Sequence, residues 1–104
     1  RTIHYSGAPY FPPVDPDSVM LLRKEPHRPH VQLGEVRFYP SPGMSPSYVE
    51  YRLREKAAEM GAHALVMLAD NVYNNAVVYG SYWRRHIHVY KERVLVGVAI
   101  HFTR

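Results

Sequence analysis

Apolar and polar positions along the chain follow two periods, and the switch between them falls inside Ser45–Ala69. Val49, Leu53, Ala57 and Met60 recur at i, i+4, i+8 and i+11, one stripe of a 3.6-residue helix, with Glu50, Arg54, Glu55 and Glu59 off the stripe. Ser45-Pro46 supplies an N-cap followed by proline at the first helical position, and Ser47 to Glu50 offers a capping box as an alternative start. Gly61 is the natural residue past the C-terminus. From His63 to Ala69 the chain is apolar at both parities after its first residue, the pattern of a central strand.

Period-two stretches flank this unit. Val19–Arg23 is a short strand candidate, and Val31–Tyr39 is a second. In the second, Val31 and Leu33 share one parity while Val36 and Phe38 share the other, so a β-bulge is predicted at Gly34-Glu35. Pro26 and Pro29 make Lys24–His30 a loop, and Pro40–Gly43 a turn. Asp70-Asn71 and Asn74-Asn75 suggest bends or a turn. Ala76–Tyr90 reads as a hairpin turning at Gly80-Ser81, followed by a charged turn at Lys91-Glu92-Arg93. The last strand runs Val94–Phe102, with Val94, Val96, Val98, Ile100 and Phe102 on one face and Leu95, Gly97, Ala99 and His101 on the other.

The predicted fold class is α+β: a single amphipathic helix packed on a small mixed, mostly antiparallel sheet, in the order β-β-α-β, hairpin insertion, β. Residues 1–18, with four prolines and no period, read as a lead-in or tether rather than an element, partly pinned by Tyr5, Tyr10 and Phe11. Residues 19–104 form one domain, with the insertion near 74–93. A length of 104 residues suits one modest core. A hydrophobic fraction of 46% argues against wholesale disorder, and no apolar run reaches the roughly 20 residues of a membrane span.

The absence of cysteine excludes disulfides, thiolate metal sites and cysteine nucleophiles. A formal charge of +4 is mild and its basic residues are scattered, which fits a solvated surface. The chain starts at Arg1, so a processed segment counts as missing rather than absent.

The run Leu53-Arg54-Glu55-Lys56-Ala57-Ala58-Glu59-Met60-Gly61-Ala62-His63-Ala64-Leu65-Val66, preceded by Pro29-His30-Val31-Gln32-Leu33-Gly34-Glu35-Val36, resembles bacterial envelope lipoproteins of the RcsF-like kind and the YbjQ-like heavy-metal-binding family. The resemblance spans roughly Val19–Ala69. It implies a small α+β domain on the periplasmic side of a bacterial membrane, anchored through a lipidated N-terminal cysteine upstream of the chain. RcsF-like proteins use disulfides, which this chain lacks, and the insertion at Asn74–Arg93 is not part of the shared pattern.

Candidate chemistry concentrates in the hairpin. His86 and His88, two apart on a strand, are positioned to face one divalent transition metal, with His101 on the neighbouring strand and His27 or His30 from the loop as further ligands. A wet strand face of Arg84, His86, His88 and Tyr90 is the plainer reading, and no carboxylate is adjacent in sequence. The basic aromatic string Tyr82-Trp83-Arg84-Arg85-His86, with Tyr90, is a candidate partner-binding surface, for protein or anionic lipid ahead of nucleic acid. Asp70-Asn71 with Asn74-Asn75 lacks the acidic count of a calcium loop. No phosphate loop or nucleophile elbow occurs, and His63 is placed to favour the helix dipole.

The expectation is a non-enzymatic binding or assembly module of an envelope lipoprotein, meeting an envelope protein or a second copy of itself. A metal site at His86 and His88, and a lipid- or nucleic-acid-contacting hairpin, are the alternatives.

Overall fold

The computed structural model describes the backbone of residues 1–81 and 84–104, and side chains outside 71–92. The central helix forms as its sequence dictates. In α1 (Pro46–Glu59) the Ser45 hydroxyl accepts from the Tyr48 backbone N–H at 3.2 Å, and Pro46 opens the first turn, where no intrahelical donor is needed. Val49, Leu53, Ala57 and Ala58 are buried on one side. Full burial of a residue such as Leu53 contributes about 2 kcal/mol. Gly61 ends the helix at φ +75°, a conformation L side chains rarely adopt.

Five strands form one mixed sheet in the order β1-β3-β5-β4-β2, where β1 is Thr2–His4, β2 Met20–Leu22, β3 His30–Phe38, β4 Ala64–Ser81 and β5 Arg84–Phe102. β1 pairs antiparallel with β3, β3 with β5 and β5 with β4, while β2 lies parallel to β4. β3 and β4 therefore run parallel with β5 between them, and α1 joins them across it. One helix on a mixed, mostly antiparallel sheet is the fold class expected.

Both sheet faces are apolar near α1. One carries Leu33, Val36, Phe38, Leu65, Leu95 and Ala99 against Val49, Leu53, Ala57 and Ala58 of the helix. The other carries Ala64, Val66, Val98 and Ile100, flanked by the partly buried Tyr5, Leu22 and Phe102. Leu33 and Val36 reach the same cluster because β3 does bulge. The register slips between Gln32 and Gly34, one position before the predicted Gly34-Glu35. Gly34 itself is fixed as a paired residue: it lies opposite His4 and Ala99, and an added Cβ would sit 2.2 Å from the Ile3 carbonyl oxygen.

Three expectations are corrected. Residues 1–18 are not a mere tether. They supply β1, and Val14 donates from its backbone to the Ala58 carbonyl at 3.0 Å. Asp15 caps a short 3-10 turn at Pro16–Ser18. Phe11 packs on the helix-side core, whereas Tyr10 stays 82% exposed while stacking on His4 at 3.8 Å. Second, Asp70-Asn71, Asn74-Asn75 and Lys91-Glu92-Arg93 are not turns. They lie within continuous β4 and β5, paired as Asn71↔Val94, Tyr73↔Glu92 and Asn74↔Lys91. Third, Gly80 and Ser81 are ladder residues opposite Arg85 and Arg84, so the hairpin does not turn there.

Candidate functional site

β4 and β5 outrun every other strand. β3 follows β5 only as far as Phe38↔Leu95, and β2 follows β4 only from Ala64 to Val66. Beyond those points, among the described residues, β4 and β5 pair only with each other, from Asn71↔Val94 out to Ser81↔Arg84. Ten residue steps at ~3.4 Å make this ribbon about 34 Å long. The molecule measures 65 × 29 × 23 Å, and its radius of gyration of 17.5 Å exceeds the roughly 13 Å of a compact chain this size.

At the ribbon's base lies a groove of about 680 Å³ between the first half of α1 and the sheet. Leu21, Val49, Leu53, Met67 and Leu95 give it apolar walls, and Arg23, Glu50, Arg54, Asp70 and Arg93 bring charge to it. Leu68 lines it too, 64% exposed, where the β4–β5 register slips between Met67 and Ala69. Arg93 clamps Asp70 bidentately, Nε and Nη2 each donating to a carboxylate oxygen at 2.8 Å. That hydrogen bonding holds the Asp70 carboxyl below its usual range. Both Asp70 oxygens thus face a cation of the protein's own, and the weak calcium pattern has no open carboxylate there.

The predicted metal ligands are not brought together. His101 lies thirteen residues of continuous strand beyond His88, about 43 Å at ~3.3 Å per residue. Its ring is stacked on Phe11 at 3.6 Å and on His63 at 4.0 Å, and its Nδ1 donates to the Gly61 carbonyl at 2.8 Å. His30 pairs with Phe102 at the same distant end, its ring nitrogens taken by the Arg28 carbonyl and Glu25. His27 is exposed in the loop before it. Among the described residues no group of three His, Asp or Glu side chains gathers around a common point. The side chains of His86 and His88 lie outside those described. In backbone register these residues stand opposite Tyr79 and Val77, neither an imidazole nor a carboxylate.

Of the partner-binding candidates, Arg84, Arg85 and Tyr90 are β5 ladder residues opposite Ser81, Gly80 and Asn75, and Tyr82 lies outside the described residues together with Trp83.

Two features escaped sequence reasoning. One is the groove, assembled from β2, α1, β4 and β5. The other is a stack at the opposite end of the sheet: Phe11, His101, His63 and Phe102, with Arg28 over the Phe102 ring at 4.1 Å. His63, expected beside the helix C-terminus, is engaged with β5. Its Nδ1 accepts the Phe102 backbone N–H at 2.8 Å, and burial, then His101 and Arg28, lower its pKa. The pairing of Ala64 with Ile100 puts His63 and His101 side by side, so only the register exposes the stack.

No family model, curated protein or solved structure matches the chain.

Proposed function

We propose that the protein is a non-enzymatic binding or assembly module whose contact arm is the β4–β5 ribbon. One observation carries this reading: from Asn71↔Val94 to Ser81↔Arg84 the two strands pair only with each other among the described residues. An isolated two-stranded ribbon is marginally stable in water, and three or more strands are the usual minimum for independent stability. A ribbon about 34 Å long gains most when another surface covers it. The envelope setting, on the periplasmic side of a bacterial membrane with a lipid anchor upstream, belongs to the same proposal and rests on the resemblance carried by Pro29–Val36 and Leu53–Val66 alone.

The test is a trimmed variant in which residues 74–91 are replaced by Asn-Gly. This closes Tyr73 onto Glu92, an existing ladder pair, with a two-residue turn. The trimmed domain keeps the helical signal in its far-UV circular dichroism and melts cooperatively. It is then compared with the full chain for recovery of partners from bacterial envelope extracts. Loss of recovery supports the ribbon as the arm, and equal recovery rejects it.

A further inference from the structure

The two long edges of the ribbon differ in chemistry. The β4 edge is covered by β2 only at Ala64–Val66, and among the described residues no strand pairs with it from Asp70 to Ser81. Its run Asn71–Ser81 contains no charged residue, no histidine and no proline. These are the devices by which exposed edges normally discourage pairing. The β5 edge beyond Leu95 does carry them: Arg84, Arg85, Lys91 and Arg93 against the single acid Glu92. Two β5 edges brought together set like charges against each other, which destabilises a ladder. Two β4 edges brought together oppose no charges at all.

We propose that the β4 edge from Asn71 to Ser81 pairs antiparallel with the same edge of a second copy of this chain, giving a twofold dimer with a four-stranded β5-β4-β4-β5 sheet. The inference rests on the ribbon being a contact arm, and it names what the arm holds. An uncharged edge offers a foreign partner no charge to select by, because electrostatic complementarity is what fixes register and rejects wrong partners. A second copy presents the same run at the same length, and a twofold interface needs only a patch complementary to itself. A twofold axis near Ala76, the middle of the run, uses all of it. It also carries the end of each ribbon towards the other chain's Leu68, at the groove mouth. Each ribbon then lies in a four-stranded sheet, above the size at which a ribbon is marginal.

The chain has no cysteine, so single cysteines report the seam without background. Ala76→Cys is compared with Val89→Cys, its ladder partner on β5. Under mild oxidation Ala76→Cys forms a disulfide-linked dimer and Val89→Cys does not; equal crosslinking of the two overturns the proposal. In parallel, sedimentation velocity at about 100 µM gives the full chain the mass of two 12.1 kDa copies. Val77→Lys/Tyr79→Lys raises the dissociation constant at least about tenfold, while the charge-matched His86→Lys/His88→Lys changes it less than about threefold. A full chain that stays monomeric overturns the self-pairing and leaves the contact-arm reading to the partner-recovery experiment. A dimer that survives trimming of residues 74–91 places the seam elsewhere and overturns the self-pairing, while the contact arm is again decided by partner recovery.

Discussion

His63 and His101 stack at 4.0 Å, yet their ring nitrogens are committed in opposite ways. The His101 Nδ1 donates to the Gly61 carbonyl, whereas the His63 Nδ1 accepts from the Phe102 backbone N–H. Protonating His63 at Nδ1 would set an N–H against the Phe102 N–H, beside His101 and the Arg28 charge.

This arrangement sets a pH dependence. Burial, His101 and Arg28 lower the His63 pKa below its ordinary 6.5, so the unfolded chain binds more protons there than the folded one. Stability therefore rises with pH. The contribution is fully present above the unfolded value and is lost as pH falls through the lowered folded value. His63→Asn places a non-titrating oxygen near the Nδ1 position. Calorimetric melts between pH 5 and 8 should show a smaller loss of Tm on acidification in His63→Asn than in the wild type. Parallel curves would reject the assignment.

His30 behaves with the opposite sign. Its Nδ1 faces the Arg28 carbonyl at 2.6 Å and its Nε2 faces Glu25 at 2.8 Å, two acceptors that only the doubly protonated ring satisfies together. The hydrogen bond to Arg28, then that to Glu25, raises its pKa. Its stabilisation is full below the unfolded value and is lost as pH rises through the raised folded value. The Tm deficit of His30→Gln against the wild type is thus expected to be largest in mild acid and to shrink towards pH 8. A deficit independent of pH would show that only the hydrogen-bond geometry matters.

What was legible in the sequence was local. The Ser45 cap, the Val49-Leu53-Ala57 stripe and the Gly61 stop lie within one helix, where each residue's neighbours are its sequence neighbours. The β3 bulge was legible as a change of parity, but its position was not. Parity leaves Leu33 to Glu35 equivalent, and the choice is made by β1 pressing on Gly34 from more than 25 positions away. Three-residue β1 has no room to show a period. The polar stretches at 70–75 and 91–93 imitate turns, yet among the described residues they are ladder positions of a ribbon that pairs with no third strand. Each stretch is the ladder partner of the other, as in Asn74↔Lys91, which neither reveals alone.

Gly61 tests how the lead-in is held. Both Gly61 and Gly43 have positive φ, at 75° and 88°. A Cβ on Gly61 would meet the Phe11 Cβ at 2.6 Å and the Pro12 carbonyl oxygen at 2.7 Å, whereas one on Gly43 meets nothing within 4 Å. Gly43→Ala should cost about 1–2 kcal/mol, the conformational cost alone. Gly61→Ala adds overpacking and should cost about 2–4 kcal/mol. Urea unfolding of the two variants measures the difference, and equal losses would show that residues 11–12 yield freely.

The Asp70–Arg93 clamp joins the core to the ribbon, and its effect should be local. Its side chains are 51% and 45% exposed, so the pair is worth no more than about 1 kcal/mol. Asp70→Asn should leave the global melt nearly unchanged, since the helix-side core does not depend on it. Beyond the clamp, among the described residues, the strands pair only with each other, and local opening there is governed by few interactions. Hydrogen exchange read by mass spectrometry, at one protein concentration for both forms, should quicken about two- to fivefold in peptides from 71–81 and 84–92. Exchange across His30–Phe38 should not change. Equal acceleration in both regions would show that the clamp supports the whole sheet, and no acceleration in either would show that the ladder alone holds the ribbon's base.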